Sequence, residues 1–145
     1  MNRSVLIALV LVFSFLGLAD SWYLFQSAVT DTALSCEIGA GLDGCNTVAE
    51  SPYSYLLGVP LALYGVGFYA LLFVLAAGLF FLPRRLLYDA VYALGIFGAV
   101  ASLAFLFVQF ALIKAFCIYC IASAVFAFLI FFAAHRLRKR FAPVP

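Results

Sequence analysis

Residues 115–134 read Ala-Phe-Cys-Ile-Tyr-Cys-Ile-Ala-Ser-Ala-Val-Phe-Ala-Phe-Leu-Ile-Phe-Phe-Ala-Ala, twenty positions without a charged side chain. A helix rises about 1.5 Å per residue, so such a run covers roughly 30 Å, the hydrocarbon thickness of a bilayer. Three further apolar runs precede it, at residues 5–25, 55–82 and 86–113. All are too long for buried strands, and apolar residues surround every face. In lipid the backbone polar groups must bond within their own segment, which leaves the helix as the economical form. The expected fold is therefore an all-α membrane protein. It is a four-transmembrane-helix bundle in one domain over residues 1–145, with a loop at 26–54 between helices one and two.

Composition agrees. Of 145 residues, 68% are hydrophobic and 10% charged, and the mean hydropathy is +1.22. A soluble domain is nearer half apolar and a quarter charged. Basic residues set the direction. Arg3, Arg84, Arg85, Arg136, Arg138, Lys139 and Arg140 fall in one set of flanks, and Lys114 alone in the other. The positive-inside rule then places both termini in the cytoplasm. Acids mostly fall the other way: Asp20, Asp31, Glu37, Asp43 and Glu50 are expected outside, with Asp89 near the inner turn. Trp22, Tyr23, Tyr53 and Tyr55 are expected as an aromatic belt at the outer interface. The first run could be read as a signal peptide ending near Gly17-Leu18-Ala19, but it continues to Phe25, which favours a retained helix. Small residues at Gly65, Gly67, Ala70, Gly95, Gly98, Ala99 and Ser102 would let helices approach closely. The lack of central charges argues against an ion transporter or proton pump.

The chemistry lies in four cysteines. Cys36 and Cys45 sit in the polar loop with Gly39, Gly41 and Gly44 between them. Cys117 and Cys120 open the last run. Under the expected topology both pairs meet the same membrane face, which points to a relay between thiols and a lipid-soluble carrier. Three residues apart on a helix, Cys117 and Cys120 would share one face. A helix N-terminus and Lys114 nearby would favour the thiolate, the species that attacks disulfides. Cys117, nearer water, suits exchange with a loop cysteine; Cys120, one turn deeper, suits the carrier. A static loop staple is the plain alternative. A four-cysteine zinc centre is another, but intervals of 8, 71 and 2 residues do not match a finger or ribbon. No metal is expected. His135 lies at the far face, away from this site. Ser51-Pro52 reads as a helix cap at the entrance to the second run, with Ser51 also able to face the redox site. Tyr64, Phe68, Phe116 and Tyr119 are candidate lining for an apolar carrier pocket. Gln109 is the candidate polar donor to a carrier carbonyl, with a helix–helix hydrogen bond as its plainer role.

The loop pair, Ser51 six residues past Cys45, and the Cys-x-x-Cys opening the last helix together resemble the vitamin K epoxide reductase (VKOR) family. Leu57-Gly58-Val59-Pro60-Leu61-Ala62-Leu63-Tyr64-Gly65 is also similar to the second helix of its prokaryotic members. The bacterial quinone-linked oxidase DsbB carries its Cys-x-x-Cys before helix two, the reverse order. The resemblance implies a quinone-dependent thiol–disulfide oxidoreductase. A thioredoxin-like or DsbA-like extracytoplasmic partner attacks Cys36; the released Cys45 attacks Cys117; Cys120 then serves a quinone of the menaquinone, ubiquinone or vitamin K type. The implied location is the inner membrane, with the site facing outward. Two departures favour quinone over epoxide reduction. Leu61 stands where vertebrate members carry an Asn, and Ala124 where they carry a Tyr. Many prokaryotic members carry a fused thioredoxin-like domain. With Pro145 following the basic tail, the thiol partner here is expected to be a separate protein. The competing class is a non-enzymatic membrane protein with structural disulfides.

Overall fold

The structure is a computed structural model and describes residues 1–36 and 44–142. Glu37, Gly39, Gly41 and Asp43 of the expected outer loop lie outside the described residues, as do residues 143–145. Four helices are long and apolar enough to cross a membrane. These are α1 (Arg3–Thr30), α3 (Leu61–Phe81), α4 (Arg85–Val108, continued by a π-helical turn Gln109–Ile113) and α5 (Ile118–Phe141). A short helix α2 (Cys45–Ala49), a 3₁₀ turn (Pro52–Ser54) and two short strands, β1 (Tyr55–Leu56) and β2 (Val59–Pro60), lie between α1 and α3. The chain is an all-α four-helix membrane protein.

The helices form a ring in which α1 packs on α3 and α5, and α4 on α5 and more thinly on α3. Neighbours are antiparallel. Phe13 of α1 stacks on Phe126 of α5, and Tyr23, ten residues further along α1, meets Tyr119, seven residues back along α5. The basic residues gather at one end. There Arg3 donates to the Tyr88 hydroxyl (2.8 Å) and to the Leu79 carbonyl. Arg138 donates to Asp89 (2.6 Å) and lies over the Tyr92 ring, which also packs against His135. The cysteines gather at the other end.

The two ends pack differently. Toward the basic end a continuous apolar core joins Leu6, Ile7, Val10, Leu72, Ala76, Leu79, Tyr88, Val91, Ile130 and Leu137. Small residues set its spacing: a Cβ on Gly17 would collide with the Tyr69 ring, and one on Gly98 with that of Phe68. Gly95 meets the backbone of Phe131 and Gly65 meets Ser21, whereas Gly67 faces open space and is no packing contact. Toward the cysteine end the bundle is hollow.

Several boundaries differ from expectation, each for a local reason. Helix α1 runs to Thr30 rather than 25, because residues 26–30 prolong it into the polar region until Asp31 turns left-handed (φ 50°). Its C-terminal end keeps its own polar caps, with Thr30 Oγ1 donating to the Gln26 carbonyl. Asp20, expected outside, therefore lies within α1, ten residues short of its end. Helix α3 begins at Leu61 rather than 55. Pro60 biases Val59 to extended backbone, so residues 55–60 close as a hairpin through Leu57 and Gly58, both at positive φ. Helix α5 starts at Ile118 rather than 115 and reaches Phe141 rather than 134. Arg138, Lys139 and Arg140 in its last turn complement the helix dipole.

Candidate redox site and cavity

Cys36 and Cys45 form a disulfide with Cα atoms 6.1 Å apart, and Cys117 and Cys120 are free thiols. The two pairs meet. Cys36, Cys45 and Cys117 share one buried cluster with Leu34 and Val48, and Cys120 packs against it. Cys45 is 0% exposed and Cys117 1%.

A close backbone approach makes this possible. The Gly44 N–H donates to the Phe116 carbonyl at 3.1 Å. A Cβ on Gly44 would lie 2.8 Å from that of Ala115 and 3.0 Å from the Phe116 backbone. Only glycine fits there, and each strand's next residue is a cysteine. Asn46, directly after Cys45, accepts from the Leu34 N–H at 2.8 Å and donates back to the Leu34 carbonyl at 3.3 Å. One side chain thus ties α2 to the segment that carries Cys36. Tyr119 donates to the Ser35 carbonyl (2.7 Å), and Tyr23 accepts from the Ser35 N–H (3.4 Å). Two helices therefore hold the residue before Cys36.

Cys117 is the N-cap of α5 with extended backbone, not a residue inside the helix as expected. Its N–H donates to Gln109 Oε1 at 3.1 Å. The π-helical turn that carries Gln109 places it there; such turns recur at functional sites. The Cys120 thiol hydrogen-bonds to Cys117 and lowers the Cys117 pKa. Burial opposes the shift, and the Cys120 and Tyr119 backbone adds to it. The net direction is downward, so Cys117 carries thiolate at lower pH than an ordinary cysteine.

Beneath the cluster lies a cavity of about 390 Å³, within the usual range for small-molecule sites. Its wall is chiefly apolar and includes Cys45, Cys117 and Cys120. Tyr64, Phe68 and Gln109 of the expected lining border it; Phe116 and Tyr119 do not. Phe116 instead packs against Phe110, and Tyr119 against Tyr23. Ser51 is not in the wall either. It precedes the 3₁₀ turn rather than α3, and its hydroxyl donates to the Val48 carbonyl (2.7 Å), steadying the end of α2. Ser54, three residues on, does border the cavity and also donates to Val48. Residues that sequence reasoning missed are Asn46, Ser54, Ser123 and Tyr69. Tyr69 donates to the Ser123 carbonyl at 2.7 Å, and the two hydroxyls lie 2.9 Å apart. Only adjacency to Cys45 could have drawn notice to Asn46. Tyr69 and Ser123 carry no local signal. Among the described residues no group of three His, Cys, Asp or Glu side chains could hold a metal ion.

A free dithiol, a buried disulfide and an apolar chamber joined within four membrane helices define a class: membrane proteins that carry paired cysteines beside an apolar cavity. Residues 8–135 match the model of the vitamin K epoxide reductase family, and the chain belongs to that family. Membership makes it a membrane oxidoreductase of the thiol–disulfide kind, in a family whose enzymes use quinones. No curated protein sequence matches this one.

Proposed function

We propose that this protein oxidises a thioredoxin-like or DsbA-like extracytoplasmic protein and passes the electrons to a membrane quinone, so supporting disulfide formation outside the cytoplasm. The observation that carries the reading is that Cys45, Cys117 and Cys120 border one apolar cavity. A partner dithiol attacks Cys36 and breaks the Cys36–Cys45 bond. The freed Cys45 thiolate attacks Cys117 of the oxidised inner pair, forming Cys45–Cys117 and releasing Cys120. The partner's second thiol breaks its bond to Cys36 and the partner leaves oxidised; the freed Cys36 then attacks Cys45, which restores Cys36–Cys45, expels Cys117 and leaves Cys117 and Cys120 as a dithiol holding two electrons. The bonding seen here, with an outer disulfide and an inner dithiol, corresponds to that stage. Oxidation of the dithiol by the quinone then re-forms Cys117–Cys120 and yields a hydroquinone.

The chain's own groups suit these steps. Burial of Cys45 beside Cys117 raises their effective concentration. The lowered Cys117 pKa keeps a thiolate available. The Gln109 amide, its oxygen engaged by the Cys117 N–H, retains its NH₂ to donate to a quinone carbonyl. Leu61 and Ala124, where vertebrate members carry polar groups, both border the cavity. Their apolar character favours quinone over epoxide reduction. The contact between α3 and α4 is thin, and both helices contribute to the cavity wall, so a lipid-borne quinone would enter between them. Seven of eight basic residues flank the spans at the end opposite the cysteines, which supports an inner-membrane protein with its site facing outward.

The test is quinone reduction by purified protein supplied with a reduced thioredoxin-like donor and a soluble quinone analogue. Cys120→Ser is expected to abolish turnover, because no inner disulfide can form; Cys117 attack on Cys36–Cys45 then expels Cys36 and leaves a Cys45–Cys117 bridge on alkylation gels. Turnover unchanged by that substitution would leave the cysteines structural and end this reading.

A further inference from the structure

The redox step needs two protons with its two electrons, and a dithiol with one sulfur already ionised supplies one. The Cys120 thiol donates to Cys117, whose sulfur is the group favoured as thiolate. Where Cys117 is the thiolate, the pair holds a single proton between two sulfurs, and a second must come from elsewhere.

One group is placed to provide it. Asp20 lies in α1, yet its Oδ2 is buried without a hydrogen-bond partner. Helix geometry gives its level. Phe13 of α1 stacks on Phe126 of α5, and the helices are antiparallel. Two turns up α1 from Phe13 is Asp20; two turns up α5 from Phe126 is Tyr119, beside Cys120. Asp20 thus stands across from the Cys-x-x-Cys turn. Cys117, Cys120 and Tyr119 are the titratable groups at that turn, and Tyr69 of α3 packs on Gly17 one turn down α1. With Tyr23 of its own helix, these are the titratable groups around it on α1, α3 and α5. None is basic, and among the described residues no cation pairs with Asp20. Two negative charges at one turn repel each other. An intramembrane acid without a partner is costly and points to function.

We propose that Asp20 is the proton store of the inner dithiol, protonated while Cys117 is a thiolate and ionised once Cys117 and Cys120 are joined. The site then carries one negative charge in both redox states. In the reduced state the charge is on the Cys117 sulfur; in the oxidised state it is on the Asp20 carboxylate. Formation of the disulfide releases two electrons, one proton from Cys120 and one from Asp20, which is what a quinone requires to become a hydroquinone. The Tyr69 and Ser123 hydroxyls, in contact with each other and both bordering the cavity, offer a route between carboxyl and acceptor. This inference rests on Cys117 and Cys120 being a redox pair, but not on quinone being the acceptor.

The test uses that independence. Full-length protein is equilibrated with glutathione redox buffers from about pH 7 to 8, below the ordinary thiol pKa of about 8.5. It is then quenched, alkylated and digested, and the Cys117–Cys120 peptide is quantified. Glutathione disulfide takes up two electrons and two protons to become two thiols. If Asp20 supplies the second proton, the oxidised fraction at a fixed glutathione ratio does not change with pH. In Asp20→Asn that proton comes from bulk water, and the equilibrium falls about tenfold per pH unit. Asp20→Glu restores the flat profile, and Asp20→Ser stands in if the Asn variant does not fold. In quinone assays Asp20→Asn should slow reduction by on the order of 100-fold while leaving exchange at Cys36–Cys45 unchanged. A tenfold slope in the wild-type protein, or equal slopes in wild type and variant, overturns the proposal. A Cys117–Cys120 pair that no glutathione ratio oxidises overturns it together with the redox reading itself. A flat wild-type profile without quinone turnover would overturn only the choice of acceptor.

Discussion

At the scale of single residues, the contrast between Cys117 and Cys120 decides the chemistry. Both belong to one Cys-x-x-Cys motif, but the fold gives them different surroundings. Cys117 is the N-cap of α5, with its N–H held by Gln109 and its sulfur receiving the Cys120 hydrogen bond. Cys120 lies in the first turn, at the cavity wall. The pKa of Cys117 is lowered, first by Cys120. Its thiolate fraction is therefore already appreciable below pH 8.5, the usual midpoint of about that value for cysteine, and is lost only as pH falls through the lower value. The rate of Cys117 alkylation against pH should show a midpoint below the ordinary one, and Cys120→Ala should move it upward. An unmoved midpoint would assign the shift to the backbone instead. The motif was legible in the sequence. The asymmetry between its two sulfurs was not, because the Gln109 contact spans the π-helical turn and the left-handed Lys114.

At the scale of elements, approach distances govern function as much as stability. Gly44 lets α2 press against the 115–116 backbone, so that Cys45 and Cys117 share one cluster. Gly44→Ala puts a methyl 2.8 Å from the Ala115 Cβ. Relieving such overpacking costs about 1–3 kcal/mol, and the cheapest relief is movement of α2 away from α5. Transfer between the pairs should slow by roughly tenfold or more, since each 1.4 kcal/mol is a factor of ten, while quinone reduction by a chemically reduced inner pair stays near wild type. Stopped-flow thiol transfer compared with single-turnover quinone reduction separates the two. The elements themselves were legible from apolar runs of bilayer length, because lipid leaves the backbone few alternatives. Their ends were less so. The start of α3 at Leu61 followed from Pro60 and the positive-φ hairpin at Leu57 and Gly58. The extension of α1 to Thr30 followed from polar residues that carry no helix-ending signal.

At the scale of the whole molecule, the bundle is packed solid at its basic end and hollow at its cysteine end. That division separates a stabilising half from a reactive half. Close packing around Gly17 and Tyr69 marks the border, since Tyr69 belongs to the core and to the cavity wall at once. Filling the hollow should affect the acceptor alone. Ala101→Trp, in the α4 wall, is expected to raise KM for a quinone analogue by on the order of tenfold or to abolish its reduction, with exchange at Cys36–Cys45 unchanged. Steady-state kinetics with quinone varied, beside alkylation of the outer pair, reads both arms. Equal loss in both would mean that the substitution disturbs the bundle rather than the chamber.

The amino-acid sequence alone determined four apolar spans, the placement of both cysteine pairs at one end and the class of chemistry, because each follows from run length, charge distribution and residue type along the chain. The tertiary structure alone decided that Cys45 meets Cys117, that Tyr64, Phe68 and Gln109 border the cavity while Phe116 and Tyr119 do not, and that Asp20 sits unpartnered inside α1. Those facts depend on how helices are rotated about their axes. In spans apolar on every face the sequence carries no moment to set that rotation; the contacts of small residues with neighbouring helices do.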